Sequence, residues 1–197
     1  DYNELYGTWN IEKIYELIRK LNEKDQKNMW ISEKYCTNWG LKEAIREFLQ
    51  NQYDEVILKL KSKTNLKVTK KENYNFDLCD KSNNKIFGII EYNKDQKKLS
   101  LSNEGKLTLA DFLLGGSKNE QNNPDLIGKF GEGMKLAILA LCRLDKKVEI
   151  ISSKTKYNFE IKKDKNFIKN GVPQKCLHCK IETYEENDLV DKVKIII

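Results

Sequence analysis

Residues 41–61 read LKEAIREFLQNQYDEVILKLK. Leu41, Ile45, Phe48, Leu49 and Val56 recur at helical spacing, which predicts an amphipathic helix with Asn38 as its N-cap. Glu47, Asn51 and Asp54 stand four and three residues apart, so they share one face of that helix. On an ordinary amphipathic helix such a stripe faces water. An amide set between carboxylates also suits a hard cation, because Mg²⁺ prefers oxygen ligands and retains waters.

Upstream, WNIEKIYELIRKLN (9–22) predicts another helix through Ile11, Ile14, Leu17, Ile18 and Leu21. Residues 23–37 are polar and irregular, with Trp30 and Ile31 as an anchor. Downstream the period changes. NYNFDLCD (73–80), KIFGIIEYN (85–93) and KKLSLSN (97–103) read as strands separated by polar turns. A short helix is expected over 107–114, then a Gly, Ser, Asn and Pro-rich loop, GGSKNEQNNPD (115–125). IGKFGEGMKLAILALCRL (127–144) places glycines before a strongly apolar helix. KVEIISS (147–153), YNFEIKK (157–163), CKIET (179–183) and KVKIII (192–197) read as further strands. The expectation is one α+β domain over 1–197: a two-layer α/β sandwich with a mixed, mostly antiparallel sheet covered on one face by helices. The start at Asp1 and the final KVKIII suggest a piece of a longer protein.

Hydrophobic residues make up 39% of the chain, enough for a core, so global disorder is not expected. The net charge of +6 comes from 36 basic and 30 acidic residues spread along the chain. It reads as a Lys-rich surface, with a nucleic-acid partner as the sharper but weakly supported alternative. Five cysteines, with no apolar stretch long enough to span a membrane, point to a reducing, intracellular setting, cytoplasmic or nuclear, without a membrane partner. Cys176 and Cys179 flank His178 at metal-like spacing, but a second ligand pair is missing, and a Cys-bearing strand or loop is the default reading.

Two further features carry chemistry. Gly128, Gly131 and Gly133 lie before the apolar helix, where close backbone approach and a helix N-terminus together suit phosphate. The pattern matches neither a Rossmann fingerprint nor a Walker A loop. Asn103 and Gly105 follow an alternating strand, where a side-chain carbonyl can accept from an exocyclic amine.

Taken together, these features resemble the GHKL ATPases, the superfamily of gyrase, heat-shock chaperones, histidine kinases and MutL. EFLQNQYD (47–54) resembles its N-box, E-x-x-x-N-x-x-D, and NEG (103–105) stands at its D-x-G box. IGKFGEGMK (127–135) resembles its second glycine box, and LLGGSK (113–118) is most similar to the MORC and chaperone branches. The resemblance covers roughly residues 37–163 and implies a Bergerat fold with an ATP lid at 115–127 and an N-terminal extension at 1–36.

The resemblance further implies ATP and Mg²⁺ as ligands. Glu47 is implied as the catalytic base for water attack, Asn51 as the Mg²⁺ ligand and Asp54 as a support of the nucleotide pocket. Asn103 would face the adenine amine beside Gly105. Gly128, Phe130, Gly131, Gly133 and Met134 would line the phosphates, with Lys118 and Lys135 as phosphate contacts. Asn103 departs from the family's usual Asp: it carries no charge and its amide can flip. The family's Gly-Thr has no secure place before KVKIII. The expected function is slow ATP hydrolysis driving a lid and an ATP-dependent homodimer switch in a larger protein. The alternatives are a nucleotide-binding module without turnover and, less favoured, a kinase, for which His178 lies in the wrong place.

Overall fold

The computed structural model of the protein describes residues 26–114, 123–127, 132–184 and 191–197. The helix expected over 9–22 and most of the 115–127 segment lie outside these residues. Nine strands are formed: β1 (Gln26–Ser32), β2 (Leu66–Lys70), β3 (Phe76–Asp80), β4 (Ile86–Asn93), β5 (Lys98–Glu104), β6 (Glu149–Ser152), β7 (Thr155–Lys169), β8 (Val172–Thr183) and β9 (Lys192–Ile196). They make one sheet in the order β1-β8-β7-β6-β9-β5-β4-β3-β2, and every pairing is antiparallel.

Three α-helices accompany it among the described residues: α1 (Leu41–Leu60), α2 (Leu109–Leu114) and α3 (Gly133–Arg143). Strand residues outnumber helical ones. The main helix-to-strand contacts are those of α1 with β4 and β5, α3 with β7 and α2 with β1. The expected Bergerat-type two-layer sandwich, a mixed sheet under a helical face, is therefore overturned. The molecule is mostly β, a wide antiparallel sheet with a few helices packed on part of it. Strands that the apolar pattern did not reveal account for the difference. β1 is of mixed composition, β2 is short and Lys-rich, and β7 and β8 run well beyond the apolar cores that mark them in the sequence.

The β7–β8 hairpin turns through Asn170 (φ 51°) and Gly171 (φ 76°), between the paired residues Lys169 and Val172. Positive φ at both central residues is what a two-residue turn of the I′ type requires, and Asn-Gly supplies it at least cost. β9 lies between β5 and β6, so the KVKIII run fills the middle of the sheet. Its Val193 and Ile195 are buried while Lys192 faces water.

α1 buries Ala44, Phe48, Val56 and Ile57. Its N-cap is Gly40 rather than the expected Asn38, and Glu43 reaches back to the Gly40 N–H at 3.0 Å. α3 is buried continuously from Ala137 to Leu141, a stretch that is apolar on all sides and has protein around it. Phe112 of α2 stands edge-on to Tyr157 and Phe159 of β7, with ring centroids 5.2 and 5.6 Å apart. Trp30, expected as an anchor, is 65% exposed, and its neighbour Met29 fills the core instead. No helix among the described residues is long and apolar enough to cross a membrane.

Arg143, in the last turn of α3, donates to the carbonyls of Glu33, Tyr35, Cys36 and Trp39 at 2.7–3.2 Å. It thereby ties the connection between β1 and α1 to the core helix. Arg143→Ala is expected to lower the unfolding free energy by about 2 kcal/mol, since several charge-assisted hydrogen bonds are lost together. Arg143→Lys should restore only part of this, because an ammonium lacks the planar fork. Urea unfolding at unchanged m-value is the measurement.

Candidate functional site

The candidate site is built on α1. Its polar face turns toward the chain that leads into α3, and contacts at three levels hold the two together. At the C-terminal end of α1, Asp125 accepts the Lys63 backbone N–H at 3.0 Å and pairs with the Lys63 ammonium at 3.3 Å. Further along, the Ile127 N–H donates to Asp54 Oδ1 at 2.8 Å. At the third level Gly133, the first residue of α3, lies against Glu47, and a Cβ built on Gly133 would fall on the Glu47 carboxylate.

Ile127 and Gly133 flank the glycine segment. They sit at the two ends of the Glu47–Asp54 stripe, about 10 Å apart along the helix axis at 1.5 Å per residue. Half-buried Asn51 lies on the same stripe between them. Gly128, Phe130 and Gly131, like Lys118, lie outside the described residues.

β5 supplies the third part. Leu101 points into the core, and Asn103, two residues on, shares its face of the sheet. The Asn103 amide Nδ2 donates to the Glu104 carbonyl at 3.1 Å, which fixes the amide orientation and leaves Oδ1 as the free acceptor. Gly105 is close-packed: a Cβ there would meet Asn103 Nδ2 at 3.3 Å and Glu55 Oε2 at 3.7 Å. Glu55 of α1 thus reaches the Asn103–Gly105 corner and joins it to the α1 face.

Not every expected residue converges on this face. The Lys135 ammonium donates to the Leu113 carbonyl at the end of α2, at 3.1 Å. Lys135 also lines a cleft of about 330 Å³ with Trp30, Tyr35 and Glu132. The Met134 side chain packs against the core. His178 lies in the middle of β8, 5% exposed, and Cys179 faces the core on the opposite side of that strand from Cys176. The Cys176–Cys179 pair therefore does not converge, because residues three apart on a strand point to opposite faces.

Two residues of the site were not singled out from the sequence. Gln52 is buried, and its amide donates to the carbonyls of Ile89 and Ser102, both at 2.9 Å, fastening α1 to β4 and β5. Glu55 is the other. Both belong to the helix stretch that drew attention, but each was hidden among its many polar residues.

Burial raises the pKa of Glu47 above its ordinary value of 4.5, nearby Asp54 pushes it the same way, and Arg46 opposes them. A carboxylate tuned upward beside a helix N-terminus is suited to accepting a proton. The N–H groups of that terminus favour an anion, and the Asn51 oxygen suits a hard cation. Compared with protein-family models and with curated proteins, the chain matches none.

Because the folded-state pKa of Glu47 is raised, the folded protein holds the Glu47 proton to higher pH than the unfolded chain does. Its contribution is therefore favourable at low pH and is lost as pH rises from the ordinary carboxylate value through the folded one. Glu47→Gln should accordingly be more stable than the parent at pH 7, with the difference vanishing below about pH 4. Thermal melts across this range test it, and a difference independent of pH would refute it.

Proposed function

We propose that the α1 face and the start of α3 bind Mg-ATP, with Glu47 as the base for slow hydrolysis. The observation that supports this most directly is the anchoring of Ile127 on Asp54 and of Gly133 on Glu47. It sets both flanks of the glycine segment along one oxygen-bearing helix face. In this reading Asn51 ligates Mg²⁺, which bridges the phosphates. The glycine segment (Gly128 and Gly131), with its flank Gly133, holds the phosphates, and Asn103 Oδ1 accepts from the adenine amine. The pinned Asn103 amide answers the loss of the family's usual Asp in part, since an acceptor is still presented, though without charge.

The reading follows the motif order of the GHKL ATPases and does not depend on their fold. Hydrolysis would drive a lid and homodimer switch in a larger protein. Five free cysteines accord with an intracellular protein, and the +6 charge with a nucleic-acid-associated one. Binding without turnover is the second reading. It is favoured by the packing of Glu47 onto Gly133 and by the engagement of Lys135 with Leu113. A histidine-kinase role is disfavoured, because the only histidine is buried within a strand.

Titration calorimetry with ATP and Mg²⁺ should show saturable uptake. Asn51→Ala should weaken the Mg-dependent part at least tenfold, about 1.4 kcal/mol. Glu47→Gln should keep uptake and lose phosphate release. Release that is absent from the parent as well would select the binding module. Absence of uptake by folded protein at millimolar ATP would remove both readings.

A further inference from the structure

A second cluster lies at the β1 side of the sheet, on β7 and β8 and apart from the α1 face. Cys176 and His178 are two apart on β8 and share one of its faces, opposite to the core-facing Leu177 and Cys179. Cys176 Sγ lies 3.3 Å from His178 Nε2, and Asp164 Oδ2 of β7 lies 3.3 Å from the same nitrogen. The three ligand atoms all fall within 4.8 Å of one another. Cys176 is fully buried and His178 nearly so.

The convergence on a single ring nitrogen decides what the cluster can do. A nucleophile–base–orienter relay needs the thiol on one imidazole nitrogen and the carboxylate on the other. Here both meet Nε2. A protonated Nε2 can satisfy the carboxylate but cannot accept from the thiol. A bare Nε2 can accept from the thiol but faces carboxylate lone pairs. A divalent cation resolves the conflict, because all three atoms then direct lone pairs at one centre.

The spacings agree with this. Zinc bonds of about 2.3 Å to sulfur and about 2.0–2.2 Å to nitrogen and oxygen, at tetrahedral angles, separate S from N by about 3.5 Å and N from O by about 3.4 Å. Thiolate, imidazole and carboxylate together suit zinc better than Mg²⁺ or Ca²⁺. The supporting contacts are present too. Asn28 of β1 donates to Asp164 Oδ2 at 2.8 Å, and the Asn166 N–H donates to Oδ1 at 2.8 Å, so both carboxylate oxygens are oriented. Zn²⁺ with one thiolate and one carboxylate is neutral in sum, which lowers the cost of burial. The neighbouring Lys162 ammonium lies 3.5 Å from the Glu160 carboxylate, which offsets its charge.

We infer that Asp164, Cys176 and His178 form a zinc site that clamps β7 to β8, with β1 held on through Asn28. Binding displaces the Cys176 thiol proton to solvent and leaves His178 neutral. The fourth position falls to a water. In the sequence Cys176 and Cys179 around His178 showed metal-like spacing without a second ligand pair; the fold exchanges Cys179 for Asp164.

The test is titration of the reduced, full 197-residue chain with Co²⁺ and then Zn²⁺. One Co²⁺ per chain should bind, with a thiolate-to-cobalt charge-transfer band and the intense visible bands of four-coordinate cobalt, and Zn²⁺ should abolish them. Cys176→Ser should lose the charge-transfer band, and Asp164→Asn should weaken binding at least tenfold. Cys179→Ser, on the opposite face, should bind as the parent does. Far-UV circular dichroism of each variant separates loss of the site from loss of the fold. Absence of the band in folded parent protein, or its survival in folded Cys176→Ser, would overturn the inference.

Discussion

Two helices meet at a point where no side chain fits between them. Glu47 of α1 lies on Gly133, the first residue of α3, and everything else about the candidate site is measured from that contact. α3 is apolar and buried on every side from Ala137 to Leu141, so that stretch must be enclosed, and α1 together with the sheet encloses it. Closing α1 onto the start of α3 brings a carboxylate out of water and against a helix terminus. The fold tolerates this because the neighbouring hydrogen bonds to Asp54 and Gln52 fix α1 in place from both directions. The geometry that would serve chemistry is thus the same geometry that lets the core helix be buried.

The parts of this arrangement that were legible in the sequence are those with strong local periodicity. α1 and α3 announce themselves through spacing and apolar runs, and β3, β4, β5, β6 and β9 through alternation between turns. The polar stripe at 47, 51 and 54 is a helical regularity, so it was visible before any tertiary information. A two-layer sandwich with a helical face was the wrong conclusion, and the reason is physical. Half of the residues of β1 and β2 are Lys, Asn, Gln or Thr, and the two are strands because partners satisfy their backbones. Among their described side chains only Met29 is fully buried. The outer part of the β7–β8 hairpin has the same character. Its Asn170-Gly171 turn was in plain view, but the polar run at 164–166 and Pro173 interrupt the strand pattern on either side.

Long-range pairings were the least legible. Nothing in the sequence places Asp164 beside Cys176 and His178, because that meeting depends on the register of two long strands. One residue of slip would turn the cluster inside out. Glu55 reaches the Asn103–Gly105 corner, and Lys135 turns to a carbonyl of α2 rather than toward the α1 face. Both outcomes follow from how helices dock, which spacing along the chain cannot reveal.

The place of β9 has a consequence for how the molecule is made. On one side of it lie β6, β7, β8 and β1; on the other lie β5, β4, β3 and β2. Residues 192–196 are the seam between these two ribbons. Each ribbon can zip up from its own strand pairings, but the two join within the sheet only once this segment has docked. Pairings so distant in sequence form slowly. Until β9 docks, two open strand edges, β5 and β6, face each other across a gap of one strand, and the chain is most vulnerable to association with other chains at that stage.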